Sequence, residues 1–120
     1  MATVAVIGAS NAGHKYGNKA VRAYLRQGWT VYPVNPNEAT VEGLKVYRTV
    51  TDIPGTVDRV AMYVPPSVGI TLLDAIKAKA PAAELFLNPG SESDALVDRA
   101  TSLGLDPIQA CAIVDIGERP

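Results

Sequence analysis

An α/β fold, built as three layers around a mostly parallel sheet of about five strands, is predicted by two features of this sequence. Short β-branched apolar runs alternate along the chain with segments of about ten residues whose apolar positions fall on one helical face. The runs also lack polar alternation, which suits strands covered on both sides. With 120 residues, 48% hydrophobic and 19% charged, the chain is expected to form a single domain over 1–120. Such a domain hides roughly two thirds of the surface its unfolded form exposes.

Thr3 to Ile7 is the first apolar run. The loop Gly8-Ala-Ser-Asn-Ala-Gly-His-Lys-Tyr-Gly17 follows, and Asn18 offers an oxygen to cap a helix that extends to about Gln27. Ala20, Val21, Tyr24 and Leu25 share one face of that helix, and Gly28 stands where a left-handed terminal residue belongs. Trp29 to Val34 reads as a second strand, stopped by Asn35-Pro36-Asn37, and Leu44 to Tyr47 as a short third one. Arg59 to Val64 is the next, entered from the Pro54-Gly55 turn and ended by Pro65-Pro66, because proline cannot donate to a ladder. Ser67 is expected to cap the following helix, with Ile70, Leu73 and Ile76 inward, Leu72 widening the face and Pro81 closing it. Glu84 to Leu87 repeats the strand and Asn88-Pro89-Gly90 the loop, after which Ser91 with Asp94 resembles a capping box. Leu96, Val97, Ala100 and Leu103 mark the last helix, Gly104 ends it, and Pro107 to Ala110 is the expected final strand. This alternation implies parallel pairing with right-handed crossovers, a Rossmann-like arrangement.

Composition excludes several classes of function. Eleven Lys plus Arg against twelve Asp plus Glu leave a net charge of −1, which argues against nucleic acid as a partner. The apolar run at the start breaks at Gly8, too short for a signal core or a membrane span, so a soluble, untargeted protein with no membrane partner is expected. One cysteine, Cys111, cannot form an internal disulfide and suits the reducing cytoplasm. Near the end of the last strand it fits a packing role, and under an oxidant it is where a thiol ligand would form a mixed disulfide. No Cys/His set resembles a metal site, and His14 stands in no recognisable triad, so neither a metal nor a catalytic residue is assigned.

In an open parallel sheet the ligand crevice lies beyond the carboxyl ends of the strands. Four loops occupy that position: Gly8 to Gly17, Val34-Asn35-Pro36, Val64-Pro65-Pro66-Ser67 and Asn88-Pro89-Gly90-Ser91. They are expected to converge on one ligand. Glycines allow backbone N–H groups to approach an anion, and the first helix points its positive end there, so a phosphate or pyrophosphate fits. Gly8 and Gly13 followed by His14-Lys15-Tyr16 do not make a Walker loop, which disfavours ATP hydrolysis. The second strand ends in Val34-Asn35 where an NAD site usually carries a carboxylate. An NAD(P)-binding oxidoreductase or redox sensor is therefore the alternative rather than the main reading.

Several stretches resemble the small stand-alone CoA-binding proteins, a family related to the N-terminal domain of the succinyl-CoA synthetase alpha subunit. They are Val-Ala-Val-Ile-Gly-Ala-Ser at 4–10, Tyr16-Gly17, Gly-Trp-Thr-Val-Tyr-Pro-Val-Asn-Pro at 28–36, Gly-Leu-Lys-Val-Tyr at 43–47 and Asp-Ile-Pro-Gly-Thr-Val-Asp at 52–58. The resemblance implies coenzyme A or an acyl-CoA as ligand, with Gly8, Ala9, Ser10, Lys15 and Tyr16 near phosphate. It implies Asn35 and Pro36 near the adenosine and Val64, Pro65 and Pro66 along the nucleotide. Asn11 in the first loop and Asn88, Pro89 and Gly90 in the last complete the expected set, although the family commonly carries an aromatic or Gln-Gly pattern at the latter position. The phosphorylated His of a ligase half has no counterpart in the 120 residues, so independent ligase activity is not expected. The implied role is regulatory, carrier or accessory, with a second copy of the chain or a separately encoded ligase subunit as partner; a structural subunit of such a ligase is the further alternative. Valine at Gly8 is expected to block the phosphate and leave the fold mostly intact.

Overall fold

The computed structural model describes residues 2–120. Its main sheet holds five parallel strands: β1 (Thr3–Ile7), β2 (Thr30–Val34), β5 (Arg59–Met62), β6 (Glu84–Leu87) and β7 (Asp106–Ile108), in the order β2-β1-β5-β6-β7. A separate antiparallel pair, β3 (Thr40–Val41) and β4 (Leu44–Lys45), packs beside the β2 edge. The helices are α1 (Tyr16–Arg26), α2 (Pro66–Gly69), α3 (Leu73–Lys79), α4 (Asp94–Ser102) and α5 (Ala112–Asp115). Single 3-10 turns lie at Val50–Asp52 and Ile70–Leu72.

The three layers follow from strand alternation. Val4 and Val6 of β1, Ala61 of β5 and Phe86 of β6 face a core completed by Ala20, Val21 and Tyr24 of α1 and Ile113 of α5. Ala5 and Ile7, Val60 and Met62, and Leu85 and Leu87 face the opposite core with Leu73 and Ile76 of α3 and Leu96 and Ala100 of α4. Neighbouring residues on each strand are both buried, which is why the runs carry no polar alternation. At the entry to β5, the guanidinium of Arg59 pairs with Glu84 at 2.9 Å and Asp115 at 2.7 Å, stacks on Trp29 and Phe86, and meets the Tyr24 hydroxyl at 3.2 Å. These contacts tie α5 and β6 to the strand and raise the Arg59 pKa above its ordinary value, the hydrogen bonds outweighing desolvation.

Several boundaries differ from the sequence expectation. Asn18 lies inside α1, fully buried, and Lys15 precedes the helix without a side-chain cap. Ser67 likewise lies inside α2, which Pro65 precedes, and the cap of α4 is Ser93, whose oxygen accepts from Leu96 N at 3.1 Å, instead of Ser91. In each case a neighbouring residue with suitable extended backbone takes the cap position. Leu44–Lys45 pairs with Thr40–Val41 rather than with the main sheet, because Glu42 and Gly43 both adopt positive φ and close a two-residue hairpin. β5 stops at Met62, β7 spans Asp106–Ile108 instead of continuing to Ala110, and Cys111 precedes α5, a helix absent from the sequence expectation. No helix among the described residues is long and apolar enough to cross a membrane.

Candidate functional site

Strand order reverses between β1 and β5, so the loops leaving these neighbours diverge and open a crevice at the carboxyl edge. Gly8 begins the first loop with φ of 92°, and its N–H donates to Val34 O at 3.0 Å. A Cβ on Gly8 would stand 3.1 Å from the Tyr63 carbonyl group and 3.2 Å from Val64 Cγ1. Valine there would combine left-handed strain with crowding, so the fold itself is expected to suffer, unlike the sequence-based expectation. The approach of Gly17 is closer: its Cβ would lie 2.1 Å from Gly8 O. The start of α1 therefore rests directly on the end of β1.

Between these glycines the loop is held by its own polar groups. Ser10 Oγ accepts from Ala12 N at 3.0 Å, and Ser10 O accepts from Asn18 Nδ2 at 2.9 Å. Asn18 Oδ1 accepts from Arg22 Nε at 2.7 Å. Buried Asn18 thus serves as a clasp from inside the helix. Asn35 Nδ2 donates to Ala9 O at 2.8 Å while its Oδ1 accepts from Asn37 N at 2.8 Å, which joins the loops after β1 and β2. Because these side chains are occupied within the protein, the amides of the first α1 turn are left without a side-chain cap.

Two adjoining recesses occupy the crevice. An apolar one of about 540 Å³ is walled by Ile7, Val34 and Pro36 on one side and Val64, Val68 and Leu72 on the other. A polar one of about 710 Å³ lies over the α1 start, lined by Ser10, Lys15, Tyr16, Pro65 and Gly90 among others. Gly8, Asn35, Asn37 and Val64 border both. Each volume falls in the range of about 300–1,000 Å³ usual for small-molecule sites.

Of the residues singled out from sequence, Gly8, Ser10, Lys15, Tyr16, Asn35, Pro36, Val64, Pro65, Pro89 and Gly90 border one or both recesses. Ala9 is fully buried, Pro66 begins α2, and neither borders them. Asn11 donates to Glu38 and, at 2.8 Å, to Thr40 O, so its amide braces the hairpin. Asn88, 2% exposed, donates to Met62 O at 3.0 Å and accepts from Ala112 N at 2.8 Å, which makes it an internal link between β5 and α5. The sequence reading missed Arg48–Thr51 and Tyr63. The former follow the hairpin, outside the strand-end loops of the main sheet, and the latter falls within the expected strand Arg59 to Val64, beyond the observed end of β5 at Met62. No group of three His, Cys, Asp or Glu side chains among the described residues is arranged to hold a metal ion.

A family model described as CoA binding domain matches residues 2–117. Over 63 residues, 52% of this chain, the sequence is 48% identical to the acetate–CoA ligase [ADP-forming] II subunit alpha of Pyrococcus furiosus. It is 40% identical over 68 residues to the acetate–CoA ligase [ADP-forming] II of Archaeoglobus fulgidus. These matches span only 14% and 10% of the relatives' lengths. Among solved structures, a conserved hypothetical protein from Pyrococcus furiosus superposes with a TM-score of 0.83 at 33% identity, covering 96% of this chain and 99% of the other. The dinucleotide-forming acetyl-coenzyme A synthetase 1 of Ca. Korarchaeum cryptofilum, solved with phosphate and ADP, gives 0.77 at 29% identity over 91% of this chain and 25% of its own.

Proposed function

The chain belongs to the CoA binding domain family, and we propose that it binds coenzyme A or an acyl-CoA non-covalently across the ends of β1, β2 and β5, in a regulatory, carrier or accessory role in the cytoplasm. The uncapped start of α1 beneath the polar recess is the observation that carries this reading. Asn18 and Lys19 donate their amides to Lys15 O, so the amides of Tyr16 and Gly17 and the positive end of the helix dipole complement a diphosphate, with Lys15 at the rim adding charge. The adjoining apolar recess takes the adenine between Val34 and Pro36 on one wall and Val64 on the other. Asn35, at the end of β2 where an NAD site usually holds a carboxylate for the ribose hydroxyls, spends its amide on Ala9 and Asn37, and the carboxylate of Glu38, which borders the polar recess, accepts from Asn11.

Titration calorimetry with CoA and with NAD tests the proposal. CoA is expected to bind and to raise the melting temperature, by linkage of roughly 2.7 kcal/mol at a hundred times the dissociation constant. NAD binding with no response to CoA would overturn it. Lys15→Gln is expected to leave the melting temperature unchanged and weaken CoA roughly threefold to tenfold at low salt, the loss shrinking as salt is added. A variant indistinguishable from the parent protein at low salt would remove Lys15 from the site.

A second reading is favoured by the 48% identity to a ligase alpha subunit: the domain acts as an accessory to a separately encoded acyl-CoA ligase chain. Stoichiometric co-purification of a ligase subunit with the native protein would support it.

A further inference from the structure

The outer face of α1 carries a basic ladder that the crevice does not use. From its start to Asn37 the sequence holds no Asp or Glu, and Lys15, Lys19, Arg22 and Arg26 recur every three or four positions. That spacing stacks like charges along one helix face, where they repel one another. Lys15 and Lys19, at the amino end, also oppose the helix dipole. The ladder works against the helix that bears it, so stability does not account for it. Lys19, Arg22 and Arg26 border a recess of about 200 Å³ together with Arg119 and Pro120. None of these residues lines the apolar or the polar recess of the crevice.

Both arginines are held in place. Arg22 donates from Nε to Asn18 Oδ1 at 2.7 Å and from Nη2 to Gly13 O at 2.9 Å. Arg26 donates from Nε and Nη2 to Glu118 Oε1 at 2.9 and 2.8 Å. Among the described residues Nη1 of each has no hydrogen-bond partner, and Glu118 is the one carboxylate paired with any of the four cations. We propose that this recess binds a small free oxyanion of the phosphate class carrying several charges, gripped by Arg22 and Arg26, with Lys19 and Arg119 adding charge. A guanidinium fork matches the oxygens of such an anion, and side chains already fixed lose little freedom on binding. The volume is below that of a nucleotide site and admits a group of this size. Glu118 already lays a carboxylate on Arg26, so the anion competes with it. The inference stands apart from the CoA reading, because the two sites share no lining residue.

Titration calorimetry at low salt with inorganic pyrophosphate and with inorganic phosphate is expected to show binding that survives Lys15→Gln, is tighter for the more highly charged pyrophosphate, and weakens as salt is added. Combining Lys19→Gln with Arg119→Gln is expected to weaken pyrophosphate roughly tenfold, to keep the affinity for CoA, and to hold or raise the melting temperature, since repulsion along α1 is relieved. Glu118→Gln, which still accepts from Arg26, should tighten pyrophosphate roughly twofold to fivefold. Asp98→Asn, exposed on α4 across the sheet, should leave it unchanged. No pyrophosphate binding, equal gains in Glu118→Gln and Asp98→Asn, or a double variant melting several degrees lower would overturn the inference. Binding lost in Lys15→Gln and intact in the double variant would put the anion in the polar recess, which overturns this inference and leaves the CoA reading standing.

Discussion

Gly17→Ala is expected to lower the melting temperature by roughly 10 °C and to abolish CoA binding. Alanine normally favours a helix over glycine by about 1 kcal/mol, and Gly17 lies in the first turn of α1. Steric opposition wins here, because the added Cβ would lie 2.1 Å from Gly8 O and 3.0 Å from Gly8 C. Both atoms are backbone, fixed by the bond from Gly8 N to Val34 O, so relief requires α1 to lift from the end of β1. Overpacking of this kind costs about 1–3 kcal/mol or somewhat more, and a domain of this size loses about 4 °C per kcal/mol. Lifting α1 also moves the amides proposed to hold the diphosphate, so affinity should fall with stability. Gly13→Ala is the control: nothing lies within 4 Å of its Cβ, and its melting temperature should stay within one or two degrees of the parent. A Gly17→Ala protein as stable as the parent would show that the contact between α1 and β1 yields easily.

Asn88→Leu is expected to destabilise the fold by about 2–4 kcal/mol and to expose Cys111. The substitution keeps a similar volume and removes both hydrogen bonds of the side chain, so the buried Met62 carbonyl and the Ala112 amide each lose a partner. Every such orphan costs about 1–3 kcal/mol. Ala112 begins α5, which also hangs from Tyr24 through the bond of its hydroxyl to Ala112 O at 2.8 Å. With one of its polar anchors gone, leaving Tyr24 and the Arg59–Asp115 pair, α5 should open more often and Cys111, just before it, should be alkylated faster, the rate rising exponentially with the lost free energy of local opening. Thermal melting and thiol alkylation rates measure the two effects separately. Unchanged values of both would show that the amide contributes little to holding α5.

These expectations depend on positions whose type was visible in the sequence and whose use was not. The loop Gly8 to Gly17, the amide at Asn35 and the prolines after Val64 pointed to a strand-end site for a phosphorylated ligand. The same rule, taking residues just after each strand, also gathered Asn88 and Asn11, whose amides the fold spends internally. Asn18 shows the reverse: expected as a helix cap, it is a buried clasp on Ser10 O. An asparagine announces that it will make hydrogen bonds, and only its surroundings determine with whom.

By itself the sequence determined the alternation of strands and helices, the two-sided burial of the sheet and the loops that could meet at its carboxyl edge. Those follow from local periodicity and from the steric preferences of glycine and proline, which act over a few residues. Tertiary structure decided that α1 is left uncapped over a recess, that Thr40–Lys45 folds apart from the main sheet, and that Tyr63 and Cys111 border one small recess although 48 positions apart. Such facts arise from close packing between distant segments, where tenths of an ångström between a Cβ and a carbonyl settle which arrangement survives.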